Sequence, residues 1–410
     1  MIVQRTFGYQ QSEIKLEMTF IIKVLILMIF LNSAALGKCG GEFTQFLSDI
    51  KEESLGIGYT EQTVNEFFDN VSLSSEVLKA DRAQGIFLKP FNEFAPRLIS
   101  DYRIQHGKKN LKKYSSTFDK IEKIYGVSRG VLTSFWALET DFGAVQGKFN
   151  TRDALITLAF DCRRPQIFRP QIFAALELFV RNEFSPNETR GAWAGEIGMV
   201  QMLPKDILEN GIDADGDGKI NLQSSTRDAL FSAAKMLTSL GWKANELWLQ
   251  EVNLTKEIDW FETGTDRIKT VREWKSLGVS GKYTDLPEAS ENASLILPQG
   301  RQGPKFLAYS NFNVFFEWNK SFIYVLTAAH FANQLEGSPS FTPGNPEKGL
   351  TKNQMKLLQT KLKKLGYEVG EIDGILGSKT RRSVQEIQRV LNQPADAWPT
   401  IELLELLLNA

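Results

Sequence analysis

The chain has 410 residues, 42% of them hydrophobic and 24% charged, with a formal net charge of -1. That length supports more than one domain around a sizeable core, and the composition excludes a disordered or fibrous chain. The near-balanced charge excludes the basic footprint that nucleic-acid binding requires.

Residues 20–31 are almost continuously apolar, interrupted by Lys23, and give way to the small residues of Asn32-Ser33-Ala34-Ala35-Leu36-Gly37. A dozen apolar residues suit a secretory signal core and fall short of the ~20 that a membrane span needs. Residues 1–37 are therefore expected to be a signal peptide. Met18 is an alternative start, since Glu13 and Glu17 do not suit a signal n-region. An uncleaved membrane tether is the competing reading. The periplasm of a Gram-negative bacterium is the expected location. The cysteines are Cys39 and Cys162 alone. In an exported chain such a pair suggests one intramolecular disulfide, with two separate thiols as the alternative. His106 and His330 add too few ligands for a zinc cluster.

From about residue 41 to 335 the periodicity is mostly helical, as over 63–68, 115–125, 170–180 and 225–240. Strand-like segments are few, with 312–318 the best candidate. The run from Gly126 to Gly143 reads as a helix with Ser128 as N-cap and Gly143 as its stop. Leu132, Phe135, Trp136, Glu139 and Phe142 then share one face. A carboxylate in an apolar stripe, near the negative end of a helix, favours its protonated form, which suits a general acid. From this helix alone, a boundary glutamate turned to solvent is an equally good reading. Asp141 is roughly 200° around the helix from Glu139 and is not a partner carboxylate. Glu196 is the other carboxylate nearby in sequence motif, and a loop carboxylate bonded to backbone N–H groups is the favoured reading of it.

Further along, Asp213-Ala214-Asp215-Gly216-Asp217-Gly218-Lys219 places aspartates at loop positions 1, 3 and 5, glycine at 6 and the Lys219 carbonyl at 7. Three carboxylates in five residues repel one another without a cation, so a structural Ca2+ is expected. Position 12 is Ser224, so the bidentate glutamate of an EF-hand is missing. Among the aromatics, Trp193, Trp318 and Tyr324 are candidates for a ligand cleft, whereas Trp242, Trp248, Trp260 and Trp274 read as core. Residues 337–346 are dense in Pro, Gly and Ser, and 337–349 is expected to be a linker between a unit at 39–336 and one at 350–410. The second unit reads as three helices over 350–365, 378–391 (capped by Ser378) and 400–408.

Leu365-Gly366-Tyr367, Gly370-Glu371-Ile372-Asp373-Gly374-Ile375-Leu376-Gly377 and Val384-Gln385-Glu386-Ile387-Gln388 closely resemble the type-1 peptidoglycan-binding domain. Leu138-Glu139-Thr140, Phe142-Gly143, Gly191 to Pro204, Leu297-Pro298-Gln299-Gly300 and Trp318-Asn319-Lys320-Ser321 with Tyr324 resemble the membrane-bound lytic transglycosylase B family. The resemblance implies a mainly α, lysozyme-like fold that acts on peptidoglycan glycan strands without an organic cofactor. Glu139 matches the family's catalytic acid/base. Gln201, Tyr324 and Asn319 match substrate-contacting positions, and Asp228 a late metal ligand. Trp318 stands where relatives can carry tyrosine. Ala192 stands where some carry serine, which removes one polar contact. A one-carboxylate site implies cleavage between MurNAc and GlcNAc to a 1,6-anhydro product. A hydrolytic muramidase and a catalytically weak wall-binding scaffold are the alternatives. A monomer is the expected state.

Overall fold

The structure, a computed structural model, describes residues 39–83 and 89–409, so the expected signal peptide lies outside the described residues. Helices dominate it, and the lysozyme-like unit is built around one large apolar cluster. At its centre two helices pack together: Arg129–Thr140, which carries Glu139, and Phe322–Leu335, which carries Tyr324. Both are buried along most of their length, so their packing rather than helix propensity stabilises them.

The Glu139 helix begins where the Ser128 hydroxyl accepts the Gly130 and Val131 N–H groups. It stops earlier than the sequence suggests. Asp141 takes the left-handed conformation (φ 49°) and the chain turns there, two residues before Gly143. A short polar side chain tolerates that conformation, and Arg103 holds the Asp141 carboxylate at 2.6 Å.

Residues 312–318 are a helix, Phe312–Trp318, rather than a strand. Phe312 and Phe315 are buried three residues apart, a helical spacing that a short aromatic run does not reveal before the core is known. The extended structure lies elsewhere, in a five-stranded antiparallel sheet. Its order is Ile268–Thr270, Asn292–Ile296, Phe306–Tyr309, Leu249–Leu254, Val279–Gly281. This sheet packs its own small core around Trp274 and Leu295.

The C-terminal unit has helices Lys352–Lys364, Ser378–Val390 and Ile401–Asn409 around Leu358, Leu362, Val384 and Leu403. Gly377 occupies the N-cap of the second helix and Ser378 is already inside it, without a side-chain cap bond. Residues 338–350 have no regular structure but are strapped down. The Phe341 ring lies 4.6 Å from that of Phe91, its N–H donates to His330 Nε2 (3.2 Å), and the Thr342 N–H donates to Glu251 (3.0 Å). The C-terminal unit docks through Gln385, which donates to the Trp260 and Thr263 carbonyls, and through Asp396, which accepts the Arg301 N–H at 2.9 Å. Gly300 (φ 71°) permits this approach: a Cβ there would lie 2.7 Å from that of Trp398.

Cys39 and Cys162 are joined by a disulfide across 123 residues. Beside it, the Gly40 N–H donates to the Phe160 carbonyl. The bridge closes a long loop and restricts the unfolded chain. Reduction is expected to destabilise the protein by about 3 kcal/mol. The check is the denaturant midpoint with and without reductant, and the Cys39→Ser/Cys162→Ser pair should reproduce the reduced value.

Candidate active site

Glu139 lies on the last turn of its helix, partly exposed where the helix meets the cleft. One oxygen, Oε1, accepts two hydrogen bonds: one from the Tyr324 hydroxyl and one from Trp318 Nε1 at 3.1 Å. Burial pushes the carboxyl above its ordinary range, and the two donors pull it part of the way back. The acid thus stays protonated to higher pH than a surface glutamate, while its conjugate base has two donors in place. Burial and the neighbouring Glu139 raise the Tyr324 hydroxyl well above its ordinary value, so it remains a donor throughout.

Trp318 differs from the sugar platform that its sequence position suggests. Its ring stacks on Phe135 with centroids 4.4 Å apart and planes 20° apart, so one face is covered. Its indole N–H points instead to Glu139 and donates to Oε1. Asn319 does not reach Glu139. Its Oδ1 accepts the Ser321 N–H (2.9 Å), just before Ser321 caps the Tyr324 helix. Trp193 is partly buried and packs against the main core.

Gln201 sits in the left-handed region (φ 53°) on the loop that forms the facing wall. Its Nε2 donates to the Gly198 (2.8 Å) and Gln146 (3.3 Å) carbonyls, which fixes the amide. Thr140, next to Glu139, donates its hydroxyl to the Met199 carbonyl at 2.6 Å, and this ties the acid's helix to the Gln201 loop. Gln146 was not apparent from sequence; its amide joins the Gly143 and Gln223 carbonyls, and a lone surface-type glutamine carries no signal for such a bridge.

Glu196 lies partly buried in the same loop. Its carboxyl is pushed up to about 7, chiefly by burial, with the charge of Glu139 adding to the rise and backbone hydrogen bonds opposing it. Its Oε2 is buried without a hydrogen-bond partner. Asp141 is engaged by Arg103.

The aspartate loop is tied to this wall. The Met199 N–H donates to the Leu222 carbonyl at 2.8 Å, and a Cβ on Gly198 would press into Leu222. Oxygens of Asp213, Asp215 and Asp228 lie within 4.8 Å of one another. Asp217 turns aside: its Oδ1 accepts the Lys219 N–H at 2.9 Å. Asp228 is fully buried and accepts the Ala214 and Asn221 N–H groups.

A helical domain that holds a raised carboxyl between two donors at a helix end, with a three-helix unit docked beside it, defines a lysozyme-like class. Residues 42–333 match the transglycosylase SLT domain and residues 351–407 the peptidoglycan binding domain. The first match takes in well over half of the sequence, and the chain belongs to the transglycosylase SLT domain family. It is 27% identical over 181 residues to the membrane-bound lytic murein transglycosylase B of Escherichia coli (strain K12). That alignment covers 44% of this chain and 49% of that protein, so the chain spans about half the length of the curated relative it matches. It is similar to SltB3 from Pseudomonas aeruginosa, solved with NAG-anhNAM-pentapeptide and with NAG-NAM-pentapeptide. Identity there is 31% and the TM-score 0.83, over 90% of this chain and 100% of the other. The fold is shared with the Escherichia coli lytic transglycosylase Slt35 in complex with calcium (21% identity, TM-score 0.62, 74% and 97% covered).

Tyr324→Phe removes a donor to the ionised acid, so the Glu139 carboxyl should rise further. With Glu139 read as the general acid, the alkaline limb of the rate profile is expected to move to higher pH. At the optimum, kcat should fall by about 10–100-fold as the conjugate base loses its partner. A pH–rate profile of the variant beside wild type measures both.

Proposed function

We propose that the protein cleaves the β-1,4 bond between MurNAc and GlcNAc in peptidoglycan without consuming water. The observation that carries this is Glu139. Its carboxyl is held by two donors on one oxygen, whereas Glu196, whose charge reaches it, has its Oε2 buried without a partner. Inverting and retaining glycosidases need a second, accessible carboxylate. A single acid suffices when the substrate supplies its own nucleophile. Glu139 gives its proton to the glycosidic oxygen, and the C1–O bond breaks as the substrate's 2-acetamido group stabilises the developing cation. Glu139, now a carboxylate held by Tyr324 and Trp318, takes the proton of the C6 hydroxyl. O6 closes on C1, giving a 1,6-anhydro-MurNAc end and a regenerated acid. The muropeptides bound by SltB3 support this choice of substrate.

Muropeptide analysis of digested sacculi is expected to yield anhydro ends; reducing ends alone would replace this reading with a hydrolytic muramidase. Glu139→Gln should abolish turnover while leaving the fold intact. Removing a carboxyl whose folded-state value is raised also relieves a destabilisation that grows as pH rises through that value. The Tm of Glu139→Gln is therefore expected to exceed wild type by roughly 2 °C at neutral pH and to match it in acid.

The Asp213–Asp228 loop fits a hard cation in its donor set: Asp213, Asp215 and Asp228 would hold Ca2+, whereas Asp217, expected as a ligand from its spacing, lies outside that cluster. The ion's role is structural, fixing the loop that backs Gln201. Calcium at about 100 times its Kd should stabilise the protein by about 2.7 kcal/mol, lost on chelation and absent in Asp228→Ala; thermal melts measure it. Export to the periplasm accords with the Cys39–Cys162 disulfide. No helix among the described residues is long and apolar enough to cross a membrane.

A further inference from the structure

A groove of about 620 Å3 runs between the catalytic unit and the C-terminal domain. One wall is residues 319–323, the segment between Trp318 and Tyr324, which both hold Glu139. The other wall includes Lys352 and Arg381 of the C-terminal domain, with Lys348 of the strap beside them.

Once its internal ion pairs are set aside, the groove has one sign of charge. Its acids are taken: Glu93 by Lys89 at 3.8 Å and Glu347 by Arg301 at 3.5 Å. Among the described residues, no carboxylate stands within ion-pair distance of Lys348, Lys352 or Arg381. Arg381 is the unusual member. Its guanidinium lies 4.7 Å over the Phe322 ring and donates to the Pro298 carbonyl at 2.8 Å, while its buried Nε has no partner. Asp396, the acid whose charge reaches it, is bound to Arg301 at 3.2 Å. Burial lowers the guanidinium to about 10, and the charge of Asp396 offsets this only in part. A desolvated guanidinium lining a groove is unfavourable alone and binds strongly once a carboxylate meets it.

We propose that this groove binds the carboxylates of the stem peptide on the strand being cut, with Arg381 as the residue that sets preference for peptide-bearing glycan. The inference rests on the glycan-cleavage reading above. A stem peptide leaves MurNAc through its lactyl ether, so a sugar seated at Glu139 directs its peptide past residues 319–323. Carboxylates along that peptide meet Arg381, and the exposed Lys348 and Lys352 raise the local concentration of anions.

The test compares kcat/KM on glycan strands bearing stem peptides with kcat/KM on the same strands stripped of peptide by an amidase. In Arg381→Gln the ratio of peptide-bearing to stripped activity is expected to fall about tenfold, the scale of one lost charge-assisted contact. In Lys348→Gln/Lys352→Gln it should fall by a smaller factor that vanishes at high salt. Equal losses on both substrates would make Arg381 a docking residue only and overturn the proposal, as would an unchanged ratio. Should Arg381→Gln fail to fold, the exposed lysine pair decides, and an unchanged ratio there overturns it. Wild type inactive on both strands would instead overturn the cleavage reading itself.

Discussion

The helices Arg129–Thr140 and Phe322–Leu335 run antiparallel and are tied at both ends, and the site depends on that pairing. At one end Gly130 lies so close to the second helix that a Cβ would stand 2.8 Å from the Ala332 carbonyl oxygen. There Glu336 accepts from the Ser128 hydroxyl and the Gly130 N–H. At the other end the Tyr324 hydroxyl meets Glu139. Nine residues separate Gly130 from Glu139 and eight separate Tyr324 from Ala332, or about 13 and 12 Å of helix. The matched lengths mean that the register set by a missing Cβ at one end is delivered at the acid. Packed helices do not deform continuously, so the donor geometry is inherited from the core rather than maintained by the cleft.

That inheritance explains how the protein carries a carboxyl where burial opposes its charge. An isolated carboxylate in that position would simply remain neutral. Burial favours the protonated form while two donors on one oxygen support the ionised form when it arises, which suits the acid-then-base role proposed for it. Trp318 makes the point chemically. An indole N–H donates and never accepts, so it supports only the carboxylate and offers no competing acceptor for the acid's proton. One of the two ring faces expected to be open for stacking a sugar is covered by Phe135.

Much of this was legible in the sequence because it rests on local rules. Ser128 as N-cap, helical spacing around Glu139, the 1-3-5 aspartates and the glycine turn of the C-terminal unit are all short-range signals. What escaped is long-range. The strands of the five-stranded sheet are three to six residues long and include Lys269, Gln250 and Gly281, so alternation never emerges above noise. The Phe312–Trp318 helix is aromatic enough to read as extended until its buried face is known. Gly130 gives no sign in sequence that it faces Ala332, and a Pro/Gly/Ser-rich stretch reads as free chain when nothing local shows that Phe341 inserts beside Phe91.

That last difference bears on how the C-terminal domain acts. A flexible linker of thirteen residues would let it wander over roughly 20 Å, raising the local concentration of wall without shaping the site. Here Phe341, Thr342 and Asn345 are each bonded or packed to the catalytic unit, and Gln385 and Asp396 fix the domain from the other side. A domain so held contributes surface rather than tethering. Its residues form one wall of the groove whose other wall is 319–323, and the Arg381 guanidinium is held there by the Pro298 carbonyl and the Phe322 ring. Uncompensated charge at a rigid interface is stable when neighbouring contacts over-determine the geometry. The same rigidity sets the groove at a fixed distance from Glu139, so on the proposed reading a strand engaged by both domains would present its bond there in one register.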